Sequence, residues 1–165
     1  MLGITEIYAY FVQQTTVTYE TEVPTLEEMM RRRADVLGKK LPHLVLEVDG
    51  VIVGFGYANW FKPRAAYRFS AENSIYLREG FAGKGYGRLL LAELLTQLER
   101  AGIRKVMAVI GDGSNVASIK LHEKQGFTHV GVVEAYGWKF GQWLDLVLMQ
   151  RSLGLGASQP PRELV

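Results

Sequence analysis

The chain has 165 residues, 48% of them hydrophobic and 22% charged, with a formal net charge of +2. That size and composition suit one domain with a single core, and a charge so small and dispersed is no footprint for nucleic acid. Cysteine is absent, which excludes disulfides, thiolate metal sites and a cysteine acyl-enzyme.

No apolar run approaches the roughly 18 residues of a membrane span. The N-terminus has no basic segment followed by an apolar one, so no signal peptide is read and a soluble cytoplasmic protein is expected. Ile4, Ile7, Tyr8, Phe11 and Val12 recur at helical spacing, so the chain is expected to begin inside a helix. Residues 15–21, rich in Thr, Val and Tyr, read as an extended loop. Thr25 with Glu28 three residues on is a capping-box signature, and Pro24 and Gly38 bracket a second helix. The basic run Arg31-Arg32-Arg33 falls on it and reads as a solvated face. Residues 43–48 and 51–61 are apolar runs joined by Asp49-Gly50, a strong hairpin signal, and Gly54 and Gly56 mark a bulge or a close backbone approach. A strand is expected over 67–77, a helix over 88–100, a short buried strand over 105–110, and a helix capped by Ser114 or Asn115 and stopped by Gly126. Two final strands are read over 127–135 and 143–149. The alternation predicts a mixed α/β sheet in one domain, residues 1–153, followed by a disordered tail over 154–165.

The most informative segment lies between strand and helix: Gly80-Phe81-Ala82-Gly83-Lys84-Gly85-Tyr86-Gly87-Arg88. Glycines let the backbone approach a ligand closely, and the helix start that follows offers free N–H groups to an anion, most often a phosphate. The loop lacks the Gly-Lys-Ser/Thr ending of a P-loop. It also sits at mid-chain rather than after a first strand, against a dinucleotide fold.

A second segment, Asn115-Val116-Ala117-Ser118-Ile119-Lys120-Leu121-His122-Glu123-Lys124-Gln125-Gly126-Phe127, follows the next strand. Together the two resemble the acetyl-CoA site of the GNAT N-acetyltransferase superfamily. Within it, the chain resembles the phosphinothricin/methionine sulfoximine acetyltransferase group, which are amino-acid N-acyltransferases. Further motifs carry the likeness in order: Thr18-Tyr19-Glu20, Lys62-Pro63-Arg64-Ala65-Ala66-Tyr67-Arg68, Glu72-Asn73-Ser74-Ile75-Tyr76, and Tyr136-Gly137-Trp138-Lys139-Phe140-Gly141-Gln142-Trp143-Leu144-Asp145. The resemblance spans about residues 4–153. Two departures stand out. Ala82 occupies a position where the family usually carries Gln or Arg. The family also begins with a β-strand before its first helix, whereas Met1-Leu2-Gly3 enters the helix at once. That strand is therefore expected to be missing, through truncation or a misassigned start.

The resemblance implies acetyl-CoA as co-substrate, a small-molecule amine as acceptor, a homodimer and no metal. It places Ile75, Tyr76, Leu77, Ala82, Gly83, Lys84, Gly85, Tyr86, Gly87, Arg88, Asn115 and Ser118 against the cofactor. Asn115 can equally be a helix cap, and Lys84 and Arg88 a solvated helix start. Glu72 sits where the family carries its base, which an ammonium acceptor requires at neutral pH. The alternative is a solvated strand residue or a partner for Arg68. His122 stands where many relatives carry a tyrosine that protonates the leaving thiolate, and imidazole titrates in a suitable range. A packing or cofactor-contacting histidine is the competing reading. His43 and His129 read as structural. For the acceptor, the resemblance points to Tyr19, Glu20, Lys62, Arg64, Tyr67 and Arg68, since arginine grips carboxylates and phosphinates with a planar fork. The competing readings are a surface basic patch and a plain loop. Functional alternatives are acetylation of a peptide N-terminus or polyamine, and an acyl-CoA-binding module without turnover.

Overall fold

One apolar face drives the first helix. In the computed structural model, which describes residues 1–161, α1 (Leu2–Gln14) buries Ile4, Ile7, Tyr8 and Val12. The second helix, α2 (Leu26–Gly38), starts at Thr25, whose hydroxyl accepts the Glu28 N–H at 3.1 Å. The strands β1 (His43–Val48) and β2 (Val51–Trp60) form a hairpin. Its turn needs positive φ twice, at Asp49 (50°) and Gly50 (77°), which the Asp-Gly pair supplies. Then come β3 (Ser70–Leu77), α3 (Tyr86–Arg100), β4 (Lys105–Gly111), α4 (Val116–Lys124), β5 (Thr128–Lys139) and β6 (Gln142–Ser152). They build a six-stranded mixed sheet of order β1-β2-β3-β4-β6-β5.

Three expectations are corrected. The strand expected from residue 67 begins only at Ser70, because Tyr67 closes a 3-10 turn over residues 65–67. The helix after the glycine loop starts at Tyr86, two residues early. The last two strands are longer than read. Ala135 takes φ 50° and its N–H is held by Asp145 Oδ1 at 2.9 Å, so β5 passes through a bulge and continues to Lys139. No strand precedes α1 among the described residues. Residues 154–158 make turns in which Gly156 and Ser158 donate to Leu153 and Leu155, and residues 162–165 of the expected tail lie outside the described residues.

Alternation along the strands sends side chains to two layers. Phe55 meets Ile4, Ile7, Tyr8, Val12 and Met29, so α1 and α2 cover one face. On the other face Leu91, Leu94 and Leu98 of α3 pack with Val106, Ala108 and Met149. Both expected features are present: the β1–β2 register slips at Val53, where Leu46 faces Gly54 and Glu47 faces Ile52, and at Gly54 and Gly56 a Cβ would lie 2.6 Å from Leu77 and from Ile75 side-chain atoms, with Leu90 of α3 behind.

The sheet parts in its middle. β3 pairs with β4 in parallel only from Ser70↔Lys105 to Asn73↔Ala108. Beyond that rung β3 follows β2 and β4 follows β6. Residues 74–77 and 109–111 therefore face each other across a gap with ladder groups unused, and buried backbone groups require partners.

His43 carries a prediction on stability. Its ring stacks on Tyr57 at 5.4 Å and Nδ1 is buried without a hydrogen-bond partner. Burial, with the Arg33 charge adding to it, lowers its pKa from 6.5 to about 4. The folded state thus favours the neutral ring, and the stability this gives is whole above pH 6.5 and is lost as the pH falls toward 4. Discounted for the ring's partial exposure, the loss is about 1–2 kcal/mol. His43→Leu should flatten that part of the acid limb, read by urea unfolding at pH 7 and pH 4.5.

Candidate active site

Glu72 stands on the last-but-one rung before the strands part. It pairs with Asn59 across the sheet, and Ser74 pairs with Tyr57, so Glu72 shares the face that α1 and α2 cover. Burial raises its pKa above the usual 4.5, and the charge of Lys62 pulls it partly back. A carboxylate made more basic than a surface one by burial is suited to taking a proton from an ammonium group.

Where the gap widens, β3 leads into the glycine loop. Gly80, Gly83 and Gly85 take φ of 80°, 78° and 84°. Gly85 caps α3 and offers no side chain to its first turn, so the N–H groups there are available to an anion, with the helix dipole behind them. Gly87 is buried, and a Cβ would stand 3.3 Å from Leu121, which lets α3 and α4 approach. Ala82 and Lys84 are exposed, and the Lys84 ammonium lies over the Phe81 ring at 4.8 Å. An arm ending in a pyrophosphate fits this layout: the anion at the start of α3, the chain along the gap.

The inner end of the gap is a cavity of about 50 Å³ between β3, β4 and α4, bordered by Ile75, Tyr76, Asn115, Ser118 and His122. Asn115 caps α4, its Oδ1 accepting the Ser118 N–H at 3.2 Å, and it borders the cavity as well, so the cap does not exclude a contact there. His122 is 4% exposed. Its Nδ1 lies 2.8 Å from the Ser118 carbonyl, which can only accept, so Nδ1 carries the hydrogen. Nε2 then accepts from Asn73 Nδ2 at 3.0 Å. Burial lowers the pKa of the ring below 6.5, and the Ser118 carbonyl partly offsets this. Neutral His122 is thus engaged at both nitrogens and has no free proton facing the cavity. Asn73 was not read as a site residue. Its placement depends on where the sheet parts, and no local pattern records that.

The residues expected at the acceptor divide into two groups. Tyr19 and Glu20 belong to a strap over the ends of β4, β5 and β6. The Tyr19 ring lies against two glycines: a Cβ on Gly137 would be 2.5 Å from it, and one on Gly111 2.9 Å. Its hydroxyl donates to the Asp145 carbonyl at 2.5 Å. Glu20 is held by Arg32 at 2.6 Å and by the Tyr8 hydroxyl at 2.8 Å. Arg32 is accordingly an anchor rather than part of a solvated face. Lys139, 3% exposed, donates to the Thr18 carbonyl at 2.8 Å, and Thr16 donates to Asp112 at 2.5 Å. The strap brings Val17 to the rim of the cavity. The second group surrounds the 3-10 turn between β2 and β3. Lys62 lies over Phe61 and acts on Glu72, Tyr67 packs edge-on against Phe61, and Arg68 lies over Phe69. Arg64 is exposed at the start of the turn. Among the described residues no cluster of His, Asp or Glu could hold a metal ion, and no helix is long and apolar enough to cross a membrane.

The comparisons agree with this geometry. Residues 4–127 match the model of the Acetyltransferase (GNAT) family. A phosphinothricin N-acetyltransferase of Alcaligenes faecalis is 44% identical over 159 residues, covering 96% of this chain and 81% of that protein. An L-methionine sulfoximine/L-methionine sulfone acetyltransferase of Salmonella typhimurium is 34% identical over 153 residues, covering 92% and 88%. A crystal structure of a GNAT phosphinothricin acetyltransferase from Sinorhizobium meliloti in complex with AcCoA superposes with a TM-score of 0.92 at 42% identity, covering 96% of this chain and 86% of that one. A parted β3–β4 pair, a glycine loop opening into α3 and a family match over most of the chain have one reading: the chain belongs to the GNAT acetyltransferase family.

Proposed function

We propose that this N-acetyltransferase moves the acetyl group of acetyl-CoA to the α-amine of a small amino acid or analogue, of the phosphinothricin, methionine sulfoximine or methionine sulfone type, by direct transfer in a ternary complex. The observation that carries the reading is the place of Glu72: a half-buried carboxyl of raised pKa beside the point where the sheet opens. The names of the relatives support the substrate class. Lys62, whose charge acts on Glu72, and Arg64 and Arg68, which flank the turn before β3, supply positive charge for an acceptor's anionic group.

Acetyl-CoA supplies the activated acetyl group. Glu72 removes a proton from the acceptor's ammonium, directly or through one water, freeing the lone pair that attacks the thioester carbonyl; the carbon–sulfur bond then breaks, and the thiolate leaves with the second proton that the attacking nitrogen sheds. The unpaired N–H groups of residues 74–77 face the gap and are placed to stabilise negative charge on the acetyl oxygen. The start of α3 holds phosphate, and Asn115 and Ser118 hold the arm. His122 positions Asn73 instead of delivering a proton. His122→Phe should therefore lower kcat less than about tenfold and leave the alkaline limb of the pH–rate profile in place, whereas a general acid is worth about 10²–10⁴. A loss of that size together with an altered alkaline limb would restore the acid role.

The catalytic domain occupies residues 1–153, works in the cytoplasm and forms a homodimer. Support for the dimer comes from the β5–β6 hairpin, where Tyr136, Trp138, Phe140 and Trp143 are more than half exposed. Light scattering after size exclusion reads that state. The substrate test is a coupled thiol-release assay with acetyl-CoA over methionine sulfoximine, methionine sulfone, phosphinothricin, common amino acids and a peptide amine. Release with the small amines is expected, and release with the peptide alone would overturn the reading.

A further inference from the structure

We infer that Asn73 positions the thioester arm, its Oδ1 accepting the amide N–H of acetyl-CoA that lies nearest the sulfur. The inference rests on the acetyl-CoA reading above and adds a residue to it.

Asn73 is 6% exposed, and its Oδ1 is buried without a hydrogen-bond partner. Buried amide oxygens are seldom left so, and an unpaired one calls for a missing donor. Its orientation is fixed. Nδ1 of His122 is committed to the Ser118 carbonyl at 2.8 Å, so Nε2 presents a lone pair, and only the NH2 of Asn73 can face it at 3.0 Å. Turning the amide over would set two lone pairs against each other. Oδ1 is thereby held as an acceptor, and His122 is what holds it.

Position identifies the donor. Asn73 is the final rung of the β3–β4 ladder and borders the cavity of about 50 Å³ at the inner end of the gap. A cavity that small admits a thin chain. Along the pantetheine arm the N–H donors are its two amides, and the one nearer the sulfur is two methylenes away from it. An arm threaded between β3 and β4 with its acetyl end at the ladder's last rung brings that amide toward Asn73. Neighbours in the sequence then serve opposite faces of one strand. Glu72 faces the acceptor and Asn73 the donor arm, so two adjacent rungs set the depth of the thioester against the base.

The experiment compares two ligands by calorimetry, without turnover: CoA, and a CoA analogue in which the amide nearest the thiol is an ester. Wild-type protein should bind the ester about tenfold more weakly, as for the loss of one buried hydrogen bond. Asn73→Leu should bind both ligands alike and more weakly than wild type binds CoA. If the leucine variant does not fold, the wild-type comparison of CoA with the ester keeps the test open. In kinetics Asn73→Leu should raise KM for acetyl-CoA while the acid limb governed by Glu72 stays where it is. Equal binding of the two ligands by wild type, or an undiminished preference in Asn73→Leu, overturns the assignment. Failure of wild type to bind CoA at all would instead overturn the reading beneath it.

Discussion

Glu72→Gln should lower kcat/KM by about 10²- to 10⁴-fold near neutral pH, the range expected for removal of a positioned base. The loss should not be uniform across pH. An amino-acid acceptor is mostly ammonium at neutrality, and the variant must rely on the small fraction of free amine in solution. Its rate should therefore climb steadily with pH, and the deficit should narrow toward the amine's own pKa. Wild type should behave differently. Burial raises the Glu72 pKa and Lys62 opposes that shift, so the acid limb of wild type lies above the ordinary carboxylate range. Lys62→Ala should move this limb further up, since it removes the charge that favours the carboxylate. Gln is isosteric and introduces no cavity, so a normal melting temperature with a collapsed acid-side rate assigns the loss to chemistry. A profile with the same shape as wild type, merely scaled down, would show that Glu72 is not the base.

How much of this was legible in the sequence follows from the range of each interaction. The Thr25 cap, the Asp49-Gly50 turn and the glycine loop depend on neighbours within a few residues, and the structure has all three where the pattern put them. The continuation of β5 was hidden because Ala135 and Gly137 interrupt the alternation, while the Asp145 side chain that secures the bulge lies ten residues on. Glu20 read as an acceptor residue because nothing near it in sequence reveals the guanidinium of Arg32 or the hydroxyl of Tyr8. Two further facts were out of reach for the same reason. The commitment of both His122 nitrogens requires Asn73, 49 residues away, and the role of Asn73 requires knowing the rung at which β3 and β4 separate. Local chemistry marked the glycine loop and the α4 cap, and topology set them beside the gap.

The same distinction between backbone and side chain governs the glycine loop. Gly85→Val should weaken CoA binding by about 10- to 100-fold, and Lys84→Ala by no more than about threefold. Gly85 adopts φ 84° as the residue that caps α3. No atom stands within 4 Å of where its Cβ would be, so the obstacle inside the protein is conformational and not a clash. A β-branched residue there costs on the order of 1–3 kcal/mol in strain, which the loop relieves by turning the first N–H groups of α3 away from the phosphate. Lys84 contributes differently: its ammonium is exposed and already rests over Phe81, and exposed charges are screened by salt. With Ala82 offering no polar group, recognition of the pyrophosphate is expected to fall to the backbone. Calorimetric titration of both variants in low and high salt separates the two contributions. The Gly85→Val deficit should persist at high salt and the Lys84→Ala deficit should vanish. The opposite ranking would place recognition in the side chains and leave the glycines a purely structural part.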